Sequence, residues 1–229
     1  MRAYRRRMAI ATAPLRSSVG LKIIMAVTGG LLVLFLVAHM VGNLKVFVGE
    51  SSFDHYAHWL RTIGAPVLPA SAFLWIQRVG LLVAVGAHLW SATVLTVRAR
   101  RARPVRYAHR RPVQGSYSAR TMRWGGVIIG LFVVYHVLDL TVGTLNPVAD
   151  PSRPYANVVA DFAPERWPVT LLYTLAVVAL GFHLAHGIDS AVRTLGGRRG
   201  AHGFAVAVSA LVCAGFLSVP FAVLTGVVS

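Results

Sequence analysis

Four histidines, His39, His88, His136 and His183, each lie inside a separate long apolar stretch of this 229-residue chain. An ionisable side chain within a membrane span is costly and marks a functional site by default. Their spacings of 49, 48 and 47 residues are those expected when successive helices fold back as hairpins and each hairpin supplies one ligand at each of two levels. The chemistry that four inward-facing imidazoles offer is axial ligation of haem iron. Two imidazoles complete the iron's coordination sphere and leave no position for oxygen or substrate, so the task implied is electron transfer.

The elements that must carry these residues are apolar helices. With 56% hydrophobic and only 13% charged residues, the chain is too apolar for an ordinary soluble domain. Five runs, roughly 21–47, 72–97, 123–146, 168–192 and 203–227, reach the ~20 residues needed to cross a bilayer as helix. The expectation is an all-α integral membrane protein, a single membrane domain over 1–229, with five transmembrane helices of which four form a haem-binding bundle. The basic stretch from Arg2 to Arg16 resembles the start of a secretory signal, but the apolar segment after it is far longer than a signal core and is expected to stay as a span. The single cysteine, Cys213, excludes an internal disulfide, a cysteine-ligated iron–sulfur cluster and covalent C-x-x-C-H haem attachment. Haem, if bound, is held non-covalently.

Orientation follows from the arginines. Segments 1–22, 98–123 and 193–202 carry six, nine and three Arg or Lys and no acid, which places them in the cytoplasm by the positive-inside rule. The alternate loops are nearly balanced: Lys45 and Arg61 against Glu50 and Asp54, then Arg153 and Arg166 against Asp150, Asp161 and Glu165. They face outward, with the C-terminus, while the N-terminus is cytoplasmic. The formal charge of +16 is thus accounted for by topology and anionic headgroups, and no nucleic-acid partner is expected. The concentration of charge in 98–123 also suits the docking of a partner.

Depth sorts the histidines into pairs. At 1.5 Å per helical residue from the cytoplasmic ends, His39 lies roughly 25 Å and His136 roughly 20 Å in, whereas His88 and His183 lie about 15 Å in. His39 with His136 form an outer pair and His88 with His183 an inner pair, each suited to one iron. Gly29 and Gly126 stand ten residues before His39 and His136; glycine lets a flat macrocycle or a neighbouring helix approach closely.

The strings V-A-H-M-V-G-N-L around His39, G-A-H-L-W around His88, V-Y-H-V-L-D around His136 and F-H-L-A-H-G-I-D-S-A-V-R-T-L-G around His183 resemble the five-helix, two-haem cytochrome b subunit of succinate dehydrogenases and fumarate reductases. The resemblance covers nearly the whole chain, and its most specific piece is 182–196. It implies the same ligand pairing: His39 and His136 for the outer haem b, His88 and His183 for the inner. It also implies an anchor, not catalytic at the dicarboxylate, on which a flavoprotein subunit and an iron–sulfur subunit dock at the cytoplasmic face, with higher oligomers of the complex left open. Electrons would pass between succinate and membrane quinone in a complex of the respiratory chain and the tricarboxylic acid cycle. Abundant Arg, Ala, Val and Gly with just two lysines point to a GC-rich bacterial genome and so to the bacterial cytoplasmic membrane, where such anchors commonly serve menaquinone.

Secondary residues group around these pairs. His186 lies three residues after His183 on nearly the same face; the resemblance makes His183 the ligand and leaves His186 to a propionate, a quinone or packing. Arg78, Lys45, Arg120 and Arg123 are candidate propionate partners, with headgroup contact as the alternative. Asp139, three residues beyond His136, suits proton uptake or release, or pairing with Lys45 or Arg78; Glu50 is a second candidate for the proton. His55 and His58 fall in F-D-H-Y-A-H-W-L-R, which reads as an amphipathic outer helix anchored by Tyr56 and Trp59. A quinone would sit either at an inner site near Arg120, Arg123, Trp124 and His186 or at an outer one near Glu50, His55 and Asp139. Two other classes fit the same histidines: another di-haem membrane cytochrome b, of b561 type or from a hydrogenase or formate dehydrogenase, and a haem-free anchor or proton channel.

Overall fold

The computed structural model describes residues 17–102, 117–197 and 201–229. Every regular element among them is helical. Five helical stretches are long and apolar enough to cross a membrane, Ser18–Val48, Ala72–Arg101, Thr121–Val142, Pro164–Thr194 and Ala201–Leu224, and the chain is a multi-pass membrane protein.

The first span, α1 (Ser18–Asn43), is capped by Ser17, whose Oγ accepts the Gly20 N–H at 2.9 Å. It tightens into a 3-10 turn over Leu44–Val48 and stops at Gly49, whose φ of 107° is open to glycine and strained for other residues. A short outer helix, α2 (Glu50–Thr62), follows, as the amphipathic pattern around His55 predicts. Then come α3 (Ala72–Arg101) and α4 (Tyr117–His136), the latter running into a π-type turn over Val137–Val142. The third span therefore ends about four residues before the expected boundary. Gly143 turns it with φ 86°, and the Asn146 side chain then accepts the N–H groups of Val148 and Ala149 at 3.0 and 3.1 Å. The following loop contains an unexpected helix, α5 (Pro154–Asp161), with proline in its first turn where the missing N–H costs nothing. A 3-10 turn, Pro164–Arg166, leads into α6 (Trp167–Thr194), and α7 (Ala201–Leu224) follows.

The centre of the bundle is α6, which packs on α7, α4 and α1, while α3 packs on α1. Small residues set the closest approach. Ser209 Oγ on α7 donates to the Gly181 carbonyl on α6 at 2.6 Å, and Cys213 Sγ to the Val177 carbonyl at 3.4 Å. A Cβ at Gly181 would lie 2.7 Å from Cys213 Sγ, and one at Gly215 would overlap the thioether of Met40 on α1. By contrast, α1 with α4 and α3 with α6, the helix pairs that carry partner histidines, are not closely packed. Outward-facing Leu82, Val83, Leu131 and Val134 remain exposed, as a lipid-facing surface requires.

At the outer end α2 and α5 form a cap. The Tyr155 N–H donates to Asp54 Oδ1 at 2.9 Å, Arg61 donates to the Pro151 carbonyl at 3.0 Å, and Arg153 pairs with Glu50 at 3.3 Å. Beneath the cap, Val46, Phe162, Tyr173, Val219, Val223 and Val228 form a buried apolar cluster.

Candidate functional site

The four spans bring the histidines together in twos. His39 on α1 and His136 at the end of α4 have ring centres 5.8 Å apart with planes at 79°. His88 on α3 and His183 on α6 are 6.3 Å apart at 56°. Among the described residues no three His, Cys, Asp or Glu side chains converge as a metal site. A pair is what an iron already held by a porphyrin requires. An imidazole nitrogen sits about 2 Å from a first-row metal, which puts two ligating rings on opposite sides of one iron with centres roughly 6 Å apart. Both separations match that spacing.

Hydrogen bonds fix which ring nitrogen is free in one member of each pair. Thr28 Oγ1 lies 3.3 Å from His88 Nδ1 and 2.7 Å from the Ile24 carbonyl. A hydroxyl has one proton; given to Ile24, it leaves Thr28 to accept from the imidazole, so His88 carries its proton on Nδ1 and presents the Nε2 lone pair. The outer pair repeats the device. Tyr173 donates to Asp139 Oδ2 at 2.9 Å and lies 3.3 Å from His136 Nδ1, so it accepts from that nitrogen and leaves His136 Nε2 open. A metal-binding histidine is held in this way, its second nitrogen tied to an oxygen that sets tautomer and ring direction. His183 Nδ1 is buried without a partner.

The glycines belong to the inner level. A Cβ on Gly29 would stand 3.4 Å from His88 Cε1, and one on Gly126 would stand 3.8 Å from His183 Cε1. Larger residues there would press on the inner rings, so Gly29 and Gly126 keep the flank of that pair open. The outer rings are instead walled by aromatics. Phe35 stacks on His39 at 5.4 Å and Phe132 on His136 at 5.9 Å, each one turn earlier on its own helix, and Phe216 of α7 lies 5.7 Å from His39. A pair of imidazoles with one tied Nδ1 at each level suits a haem iron, with glycine-lined space at the inner level and aromatic walls at the outer.

Asp139 has other neighbours than expected. It does not meet Lys45 or Arg78; it is fully buried, bonded to Tyr173 and packed against a second fully buried carboxyl, Asp161 at the end of α5. Arg166 bonds Asp161 Oδ1 at 2.9 Å. Burial, then the Asp139 carboxyl, pushes Asp161 up to about 7 against the opposing pull of Arg166. Sequence reasoning passed over Thr28, Tyr173 and Asp161. The readable signal was Tyr173, a hydroxyl within an apolar run that must find a partner.

The remaining candidates are scattered. Lys45 Nζ sits 5.5 Å over the Tyr56 ring and Arg78 5.0 Å over the Trp75 ring. Glu50 is taken by Arg153 at the surface. His55 lines an outer groove of about 440 Å³ with Lys45, Ser51, Ser52, Tyr56 and Trp59; neither Glu50 nor Asp139 shares it. On the inner side Arg123 and Trp124 are exposed and His186 is half-buried. The Arg120 side chain lies outside the described residues, as do most of the arginines of 98–123. No protein-family model, curated protein or solved structure matches the chain.

Proposed function

We propose that the chain is the membrane cytochrome b subunit of a bacterial succinate:menaquinone oxidoreductase. It would hold two haem b groups, one between His39 and His136 and one between His88 and His183. The observation that carries this reading is the meeting of four histidines from four spans as two ring pairs, at 5.8 and 6.3 Å. A haem bound by two imidazoles supplies one-electron transfer and nothing else, since its coordination is complete.

This chain's residues do the rest. Thr28 and Tyr173 orient His88 and His136, Gly29 and Gly126 keep the inner flank open, and the Phe35, Phe132 and Phe216 rings exclude water from the outer pair. With one cysteine and no dinucleotide-binding glycine motif, the chain needs partners for flavin and iron–sulfur chemistry. Its arginine-rich segment 98–123 suits their docking at the cytoplasmic face. The groove beside His55 and Lys45 favours an outer position for menaquinone, since it is concave, part apolar and part polar.

The test is the haem b content per chain in the purified complex, by pyridine haemochrome, with partner subunits identified in the same sample. Two haems with a flavoprotein and an iron–sulfur protein uphold the proposal. Two haems without them move the chain to another class of di-haem cytochrome b. No haem discards electron transfer, leaving the histidines as a proton path or packing set.

A further inference from the structure

Beside His136 lies a polar network that electron transfer alone does not need. Asp139 and Asp161 are both fully buried, one on the π-type turn after α4 and the other at the end of α5. Each has one oxygen with a donor. Asp139 Oδ2 takes the Tyr173 hydroxyl at 2.9 Å and Asp161 Oδ1 takes Arg166 at 2.9 Å. The other two oxygens, Asp139 Oδ1 and Asp161 Oδ2, are buried with no donor, yet the two carboxyls lie within hydrogen-bonding reach of each other. Leaving two buried carboxylate oxygens without a donor is unfavourable. One proton between them satisfies both and brings the set of two carboxyls and Arg166 to neutrality.

We propose that Asp139 and Asp161 share a single exchangeable proton that balances the electron at the His39–His136 pair. The proposal rests on the haem reading for that coupling. An electron arriving there adds one negative charge, and one proton taken from the outer aqueous phase past Arg166 onto the carboxyl pair cancels it; when the electron leaves, the same proton returns outward. Tyr173 links the two sites through its bonds to Asp139 and His136. The titratable and charged groups around the pair are Tyr135 and His136 from α4, Tyr173 from α6 and Arg166 from the turn before it. Val46 of the turn after α1 and Val219 and Val223 of α7 belong to the apolar cluster that also holds Tyr173. Asp161 is raised to about 7 by burial and by Asp139, so near neutrality the site is poised to load and unload.

The test is infrared difference spectroscopy on the complete complex in lipid, with haem content and the outer midpoint potential read on the same sample. A protonated-carboxyl C=O band that shifts in heavy water, grows as pH falls through neutrality and grows on reduction of the outer centre is expected. Asp161→Asn and Asp139→Asn should each abolish it. Tyr173→Phe should weaken the outer haem, as loss of an orienting partner does, but keep the band and, in the fraction that retains haem, flatten the pH dependence of the outer potential, which in the unmodified complex falls as pH rises. No such band, a band that survives both Asn variants, or an unchanged pH dependence in Tyr173→Phe would overturn the proposal. A band without haem upholds the shared proton and removes the electron-transfer reading instead.

Discussion

At the scale of single residues, the two ring pairs should separate cleanly, because His39 and His136 share no helix with His88 and His183. His88→Ala is expected to remove the inner haem signal and keep the outer one, and His136→Ala to do the reverse, as read by redox-resolved optical spectra. Either change leaving both signals intact would break the pairing. Thr28 offers a finer test. Thr28→Val keeps the shape but removes the oxygen that accepts from His88 Nδ1, so the ring loses its fixed direction without losing its ligand nitrogen. Loss of such an outer partner costs about 10–100-fold in metal affinity, and the cost should fall on the inner haem alone in a haem-retention titration. The four histidines were legible from spacing and from apolar surroundings, and Gly29 and Gly126 from their offsets, although ten helical residues back is a different depth, and both glycines proved to flank the inner rings. Thr28 was not legible, and Tyr173 was legible only as a hydroxyl in an apolar run that needs some partner. Whether a threonine hydroxyl inside an apolar run bonds only its own helix or also a ring across the bundle is decided by helix rotation, which the sequence does not state.

At the scale of elements, the bundle depends on where glycine lets helices touch and where helices are held apart. Gly215 faces Met40 so closely that even a Cβ would collide with its thioether, and Met40 is itself buried. Gly215→Leu should cost about 1–3 kcal/mol by overpacking, seen as a lower melting temperature in detergent, and Met40→Ala in the same chain should recover part of it. The outer cap carries a second, pH-dependent contribution. Asp161 sits near 7 in the folded protein against an ordinary 3.8, so between those values the folded state binds more protons than the unfolded one. Stability from this group is therefore full in acid, declines as pH rises from the usual carboxylate range to about 7, and is flat above. Melting curves stepped through that range should show the decline, and Asp161→Asn should remove it. The five spans were readable from hydropathy and the outer helix α2 from its amphipathic pattern. Helix α5 was hidden because eight residues give too little periodicity to distinguish them from loop, and with it the pairing of Asp161 to Asp139, which depends on the chain turning back at Gly143 and Asn146.

At the scale of the whole molecule, the distribution of arginine is the argument for orientation, and it is independent of anything the histidines do. Segments 1–22, 98–123 and 193–202, at one end of the bundle, carry basic residues and no acid, while the cap of α2 and α5 at the other end balances its charges in local pairs such as Arg153 with Glu50. Lys and Arg near span ends set topology because they resist translocation, so the prediction is that the cap and its groove lie outside and the α6–α7 connection lies in the cytoplasm. The chain is well suited to a direct check, because its single cysteine, Cys213, lies within α7 with its thiol turned to the Val177 carbonyl, away from water-borne reagents. Ser51 and His202 are both exposed and stand at opposite ends of the bundle. Introduced singly, Ser51→Cys should react with a membrane-impermeant maleimide on intact cells. His202→Cys should react only after the membrane is opened. The opposite pattern would invert the molecule, place the groove beside His55 in the cytoplasm, and require the carboxyl pair at Asp139 and Asp161 to exchange its proton with the cell interior.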